Sequence, residues 1–156
     1  MLVENVMTRE VESCRPEDTL SAAASVMWRK DCGVVPVVDG EGRVVGIITD
    51  RDICMALATR PQTASEVPVA DVMSRDVRSC NAVDDIRDAL EIIGRERLRR
   101  LPVVDSDGRL AGVLSVSDIV LHSDRGKGKR HISHRATMSM LKSICRPHEA
   151  AEEKKP

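Results

Sequence analysis

The spacing of apolar and polar positions changes period along the chain, and then the whole pattern returns. Leu20, Ala23, Ala24 and Met27 fall at i, i+3, i+4 and i+7, which predicts a helix with one apolar face. Two short β-branched runs follow, Val35–Asp39 and Val44–Thr49, on either side of a Gly40-Glu41-Gly42-Arg43 turn, and they predict strand, turn, strand. Thr49 stands at a natural N-cap, so a second helix is expected over about residues 50–58, with Ile53, Cys54 and Leu57 on its apolar side. Val11–Cys14 reads as a short strand ahead of the first helix, and Val3–Met7 as the lead into the same half. Shifted by 66 residues, the pattern recurs without a gap: Val77–Cys80, then the stripe Ile86, Ala89, Leu90 and Ile93, then Leu101–Asp105 and Leu110–Ser115. Residues 6–53 and 72–119 share 18 identities in 48 positions, against roughly one in sixteen by chance, so the duplication is real. The chain is therefore α/β, with two tandem β-α-β-β-α units at residues 1–60 and 70–121. A Pro-containing linker at 61–69 joins them.

Composition narrows what such a repeat can do. Apolar residues make up 42% of the chain, yet there is no Phe or Tyr and only Trp28, so Val, Ile, Leu, Met and Ala must fill a core shared between the halves. Aromatic platforms for stacking single-stranded bases are almost absent. Five cysteines without a Cys-x-x-Cys pair argue against a disulfide framework. Cys14 and Cys80, at equivalent repeat positions, read as small buried hydrophobes. No apolar run approaches the ~18–20 residues that span a bilayer, and the first residues carry neither a basic region nor an apolar stretch, so a soluble, cytoplasmic protein is expected. The net charge of −1 hides an asymmetry: residues 1–121 hold 15 Lys and Arg against 21 Asp and Glu, and residues 122–156 hold 9 against 4. An acidic body thus carries a basic C-terminal tail, in which 125–130 reads as a Gly-punctuated connector. Ile132–Cys145 is expected to be a helix through Ala136, Met140 and Ile144, with fraying from Glu149 onward.

The chemistry concentrates in Gly46-x-x-Thr49-x-x-Asp52 and its twin Gly112-x-x-Ser115-x-x-Asp118. A hydroxyl followed three residues later by a carboxylate is a capping box. The short Asp in place of Glu, the glycine three residues earlier, and a position at a strand end entering a helix equally suit a phosphate and a ribose diol. The order Val-Met-Thr, short strand, helix, Pro-Val-Val-Asp, Gly-Arg and Gly-x-x-Thr/Ser-x-x-Asp, present twice over residues 3–121, resembles the cystathionine-beta-synthase (CBS) domain. Two such domains in tandem resemble a Bateman module. The resemblance implies two units packed about a pseudo-twofold axis, with two clefts for adenosine-containing ligands. It implies that Asp52 and Asp118 hold ribose and that Thr49 and Ser115 lie near phosphate. It also implies that adenine sits among Val35, Pro36 and Ile47 in one cleft, and among Leu101, Pro102 and Val113 in the other. Arg99 and Arg100 precede Pro102 where Gly33 and Val34 precede Pro36, so the second-copy cleft is expected to meet phosphate through arginine, and the first to depend on Arg51. The run Arg95–Arg100 equally reads as a solvated helix end.

No nucleophile-base arrangement and no P-loop is present, and all four histidines lie in the tail, so the chain does not read as an enzyme. The tail holds His131-x-x-His134 and Cys145-x-x-His148, a possible but poorly spaced zinc set. The reading is a regulatory module that senses an adenosyl ligand (ATP, ADP or AMP, S-adenosylmethionine or NAD). The resemblance implies a homodimer, and an unknown protein partner is expected to be contacted through the tail. A ligand-free adaptor is the competing class. Nucleic-acid contact through residues 122–148 has seven basic residues in its favour but no reading helix.

Overall fold

The computed structural model describes residues 1–124 and 131–147. In the first repeat Thr19 caps α1 (Leu20–Arg29), its hydroxyl accepting the Ala22 amide at 3.2 Å, and α1 buries Leu20, Ala23 and Met27. The antiparallel hairpin β1 (Val34–Val38) and β2 (Val44–Thr49) runs straight into α2 (Asp50–Thr59). The second repeat supplies β3 (Cys80–Asn81), α3 (Ile86–Arg95), the hairpin β4 (Arg100–Val104) and β5 (Leu110–Ser115), and α4 (Val116–Leu121). Val34 faces Thr49 and Arg100 faces Ser115, so both hairpins keep one register, and both break it at the same place, after Val37 and after Val103. Gly42 and Gly108 turn the hairpins at φ 81° and 78°, values that favour glycine. The strand expected at Val11–Cys14 contracts to a single parallel bridge from Cys14 to Val37, because the turn at Arg15–Asp18 starts immediately after it.

The halves are related by a pseudo-twofold axis. The two turns exchange backbone bonds, Val44 N–H to Gly108 O at 3.1 Å and Leu110 N–H to Gly42 O at 3.0 Å, and Arg43 faces Arg109. Thr8 pairs with Val113, and Ser74, its repeat counterpart, pairs with Ile47.

That pairing departs from the expectation that Val3–Met7 enters the first half. Val3, Val6 and Met7 are buried in the core of the second repeat, among Ile86, Ile93, Leu101 and Leu114. Their backbone is tied there too, by Val3 N–H to Asp84 O at 3.0 Å and Ile86 N–H to Met1 O at 2.9 Å. Reciprocally, Val67, Val69 and Met73 lie in the core of the first repeat, and Leu20 N–H donates to Val67 O and Val69 N–H to Asp18 O. Residues 61–69 are thus more than a linker, since the segment ahead of each repeat completes the other one.

Past α4, β6 (Ser123–Asp124) pairs in parallel with β7 (Ile132–Ser133), and α5 (His134–Cys145) follows. The expected tail helix therefore starts two residues later than its apolar spacing implied. It lies against α3, burying Met140 and Thr137, with Ala136, Leu141 and Ile144 packed at the margin of the second core. The connector at 125–130 and the segment from His148 onward lie outside the described residues. Among the described residues no helix is long and apolar enough to cross a membrane.

Cys14 and Cys80 occupy matching places in the two cores. Burial, with a smaller contribution from the Asp18 and Asp84 charges, pushes their thiols up to about 11 and about 12, from an ordinary 9.0. Both are protonated in the folded state at pH values where the unfolded chain has lost the proton. Their contribution is therefore complete below about pH 9 and is lost as pH rises from there through 11 to 12. Chemical denaturation repeated between pH 8 and 11 is expected to show stability falling above about 9, less steeply in Cys80→Ala. At pH 8 a thiol reagent is expected to modify exposed Cys54 and Cys145, and to reach Cys14 and Cys80 only with denaturant.

Candidate functional site

Both strand-to-helix junctions carry complete capping boxes. Asp52 Oδ2 accepts the Thr49 N–H at 2.9 Å and the Thr49 hydroxyl at 2.7 Å, and the Asp52 N–H returns to Thr49 Oγ1 at 3.1 Å. At Ser115 and Asp118 the same three bonds measure 2.8, 2.6 and 3.1 Å. Asp is thus long enough to reach back, and each hydroxyl spends its only proton inside the cap, which leaves Thr49 and Ser115 nothing to donate to a phosphate. The carboxylates are not used up. In each the second oxygen, Oδ1, is outside the cap, and among the described residues that of Asp118 meets only the Thr8 hydroxyl, at 3.3 Å.

The glycines three residues before the hydroxyls have a structural cause. A Cβ on Gly112 would stand 2.6 Å from the Thr8 carbonyl oxygen, and one on Gly46 would stand 2.5 Å from Met73 Sδ and 3.2 Å from Ser74 O. The close approach there is by the chain's own exchanged segments, not by a ligand. Gly112→Ala meets backbone, whereas Gly46→Ala meets chiefly the movable end of a methionine. Gly112→Ala is therefore expected to cost about 2–3 kcal/mol in a urea titration, and Gly46→Ala about half as much.

Asp118 opens into a cleft of about 270 Å³ to which both repeats contribute. The second repeat lines it with Arg100, Val113, Ser115, Ser117 and Asp118, and the first with Val26, Lys30, Asp31, Cys32 and Val34, together with Thr8, Glu10, Val11 and Glu12. Lys30 is engaged at its edge, 3.2 Å from Glu12, which Arg29 also contacts; these two cations, Arg29 foremost, hold the Glu12 carboxyl below its ordinary range. Among the described residues Arg100 is in no ion pair. The second repeat mirrors the Glu12–Lys30 pair with the charges exchanged, Arg78 lying 3.7 Å from Glu96.

The structure brings together only part of the expected set. Arg100, Val113, Ser115 and Asp118 share one cleft, while Arg99 is exposed and turns its carbonyl to the Val116 amide. Val35 and Leu101 are 0% exposed inside the two cores and cannot face a base. Pro36 and Pro102 are buried in the middle of their strands, and Ile47 is half-buried opposite Pro36. Asp52 borders a shallower depression with Met55, Thr59, Arg60 and Asp71, and Arg51 is exposed at the start of α2. His131 and His134 stand at the start of α5 and Cys145 at its end, eleven residues or about 16 Å along the axis. One ion cannot bridge that span, and His148 lies outside the described residues. Sequence reasoning missed Thr8, Glu10, Glu12, Lys30 and Asp31 as cleft residues. The repetition of Met-Thr at 7–8 as Met-Ser at 73–74 was the signal for Thr8 alone.

The fold is shared with known proteins. The CBS domain family profile matches residues 3–59 and 69–124. The CBS domain-containing protein YhcV of Bacillus subtilis is 32% identical over 136 residues, 85% of this chain and 95% of that protein. The CBS domain pair of protein MJ0100, solved with 5'-methylthioadenosine and S-adenosyl-L-methionine, superposes with a TM-score of 0.69 at 24% identity, covering 78% of this chain and 94% of that one. CBSX2 of Arabidopsis thaliana, solved with AMP, gives 0.66 at 24% identity, covering 77% and 93%.

Proposed function

The chain belongs to the CBS-domain family, and from that premise we propose that it is a non-catalytic sensing module that binds an adenosine-containing ligand in the Asp118 cleft. The observation that carries this reading is the Asp118 carboxylate: its cap occupies Oδ2 and leaves Oδ1 to the Thr8 hydroxyl, and both residues line a cleft built from both repeats. A ribose hydroxyl donates to Oδ1 in place of, or beside, Thr8. Val11, Val26, Val34 and Val113 supply apolar contact for the base. The methylthioadenosine, S-adenosylmethionine and AMP held by solved CBS pairs support the ligand class.

The cleft's charge argues for a small anion or a zwitterion. Among the described residues Arg100 is its one basic lining residue outside an ion pair, and Glu10, Asp31 and Asp118 are acidic. One guanidinium matches one phosphate group, whereas a triphosphate would place two further anionic groups among carboxylates. Because both repeats line the cleft, a ligand there favours one arrangement of the halves over another. The ligand acts only by its differential affinity for the two, and a protein partner reads the result. Calorimetric melting of the nucleotide-free chain with adenosine, AMP, ATP and S-adenosylmethionine tests the reading. At a concentration about a hundred times its dissociation constant, AMP or S-adenosylmethionine is expected to add about 2.7 kcal/mol and raise the midpoint by several degrees, and ATP at that same concentration to add less. No shift with any of the four contradicts it.

A further inference from the structure

From His134 to Pro147, along α5 and its end, the chain carries Arg135, Lys142 and Arg146 and no acidic residue. A helix turns about 100° per residue, so positions 135 and 142 lie within about 20° of one line, and Arg146 follows at the helix end. All three side chains are exposed, and among the described residues none is in an ion pair. Beside that line, Ser139 and Ser143 form one wall of a groove of about 490 Å³ between α5 and α3. Arg87, Glu91 and Arg95 of α3 form the other wall, and the apolar lining is Leu90, Gly94, Ala136 and Met140. Arg87 is held by Asp85 at 3.3 Å and Arg95 by Glu96 at 2.9 Å. The groove is therefore apolar along its length and bordered by cations on both sides.

We propose that the groove between α3 and α5 docks an acidic amphipathic helix of a partner protein. Such a helix lays its apolar face into a groove through anchors at i, i+3, i+4 and i+7. Here the anchors rest on Leu90, Ala136 and Met140, and carboxylates on one flank meet Arg135 and Lys142. On the other flank they meet Arg87 and Arg95, whose present pairs are exposed and contribute little. Glu91, the one acidic lining residue, stands one turn from each of these arginines and disfavours a carboxylate opposite it, which sets the partner's register. The apolar lining is what favours a protein over a nucleic acid, because phosphates gain nothing from it. Bases find no aromatic side chain there to stack on, since Trp28 belongs to the first repeat. No residue of this groove lines the Asp118 cleft, so the inference does not depend on the ligand reading.

Selection of displayed random peptides on the immobilised full chain tests the proposal, with each selected peptide then measured in solution by fluorescence polarisation. Peptides of about 16 residues suffice, since they span about four helical turns. Enriched sequences are expected to carry Leu or Met at helical spacing with Asp and Glu beside them, and to bind more weakly as salt rises. The double variant Arg135→Glu, Lys142→Glu reverses the charge without touching the apolar lining, and is expected to weaken binding at least about tenfold. Ser139→Trp fills the groove without changing its charge and is expected to weaken binding to a similar extent. All three positions are exposed, so circular dichroism and melting are expected to be unchanged in both variants. The absence of any enriched peptide, enriched peptides without acidic residues, or equal binding by both variants would each overturn the proposal. So would an oligonucleotide that binds where no peptide does and is lost on charge reversal but not in Ser139→Trp, which would assign α5 to nucleic acid.

Discussion

Deleting residues 1–7 is expected to destroy the protection of the second repeat, although those residues precede the first. Val3, Val6 and Met7 are 0%, 3% and 8% exposed within the second core. Removing three such side chains forfeits about 5–8 kcal/mol of apolar burial, as much as the whole margin of many domains of this size. The deletion also breaks the bonds from the Val3 and Glu4 amides to Asp84 and Ala82, and from the Ile86 amide to Met1. Native-state hydrogen exchange is the measurement: protection is expected to vanish first in α3, β4 and β5, while α1 to α2 exchange more slowly. The opposite order, or a uniform loss, would mean that the N-terminal segment serves the first repeat after all.

The same exchange marks where the sequence could and could not be read. Hairpins, helix stripes and N-caps follow from residues within a few positions of one another, and the 66-residue shift locates all of them. The place of Val3 in one core with Ile86 and Leu101 depends on partners roughly 80 to 100 residues away, and nothing in a short apolar run names its partner. Gly46 and Gly112 were misread for a related reason: a glycine announces close approach without saying by what, and here it is the chain itself. Arg99 and Arg100 could not be separated from composition. Neighbouring positions at a strand end point to opposite sides, so one arginine reaches the cleft and the other faces solvent. Val35 and Leu101 carry the sequence of a pocket wall but lie in strands covered on both faces. Of the apolar side expected for α2, Ile53 is buried, whereas Cys54 and Leu57 are exposed.

The second large effect concerns binding. Asp118→Asn keeps an amide oxygen for the cap on Ser115, so α4 retains most of its start, but it removes the charge that strengthens a hydrogen bond from ribose. A bond to a charged acceptor is worth about 1.5–3 kcal/mol, so the affinity for AMP is expected to fall about tenfold to a hundredfold. Arg100→Ala is expected to weaken AMP while leaving adenosine unchanged, since only AMP carries the group that the guanidinium meets. Asp52→Asn alters the twin cap outside this cleft and is expected to leave the affinity as it was.

Isothermal titration of AMP into the nucleotide-free full chain, with Asp118→Asn and Asp52→Asn measured beside it, tests the assignment of the ligand to the Asp118 cleft most directly. The account predicts saturable heat from the unaltered chain, an unchanged curve for Asp52→Asn and a loss of at least tenfold for Asp118→Asn. Saturable heat that survives in Asp118→Asn and disappears in Asp52→Asn, or the absence of heat from the unaltered chain, would contradict it.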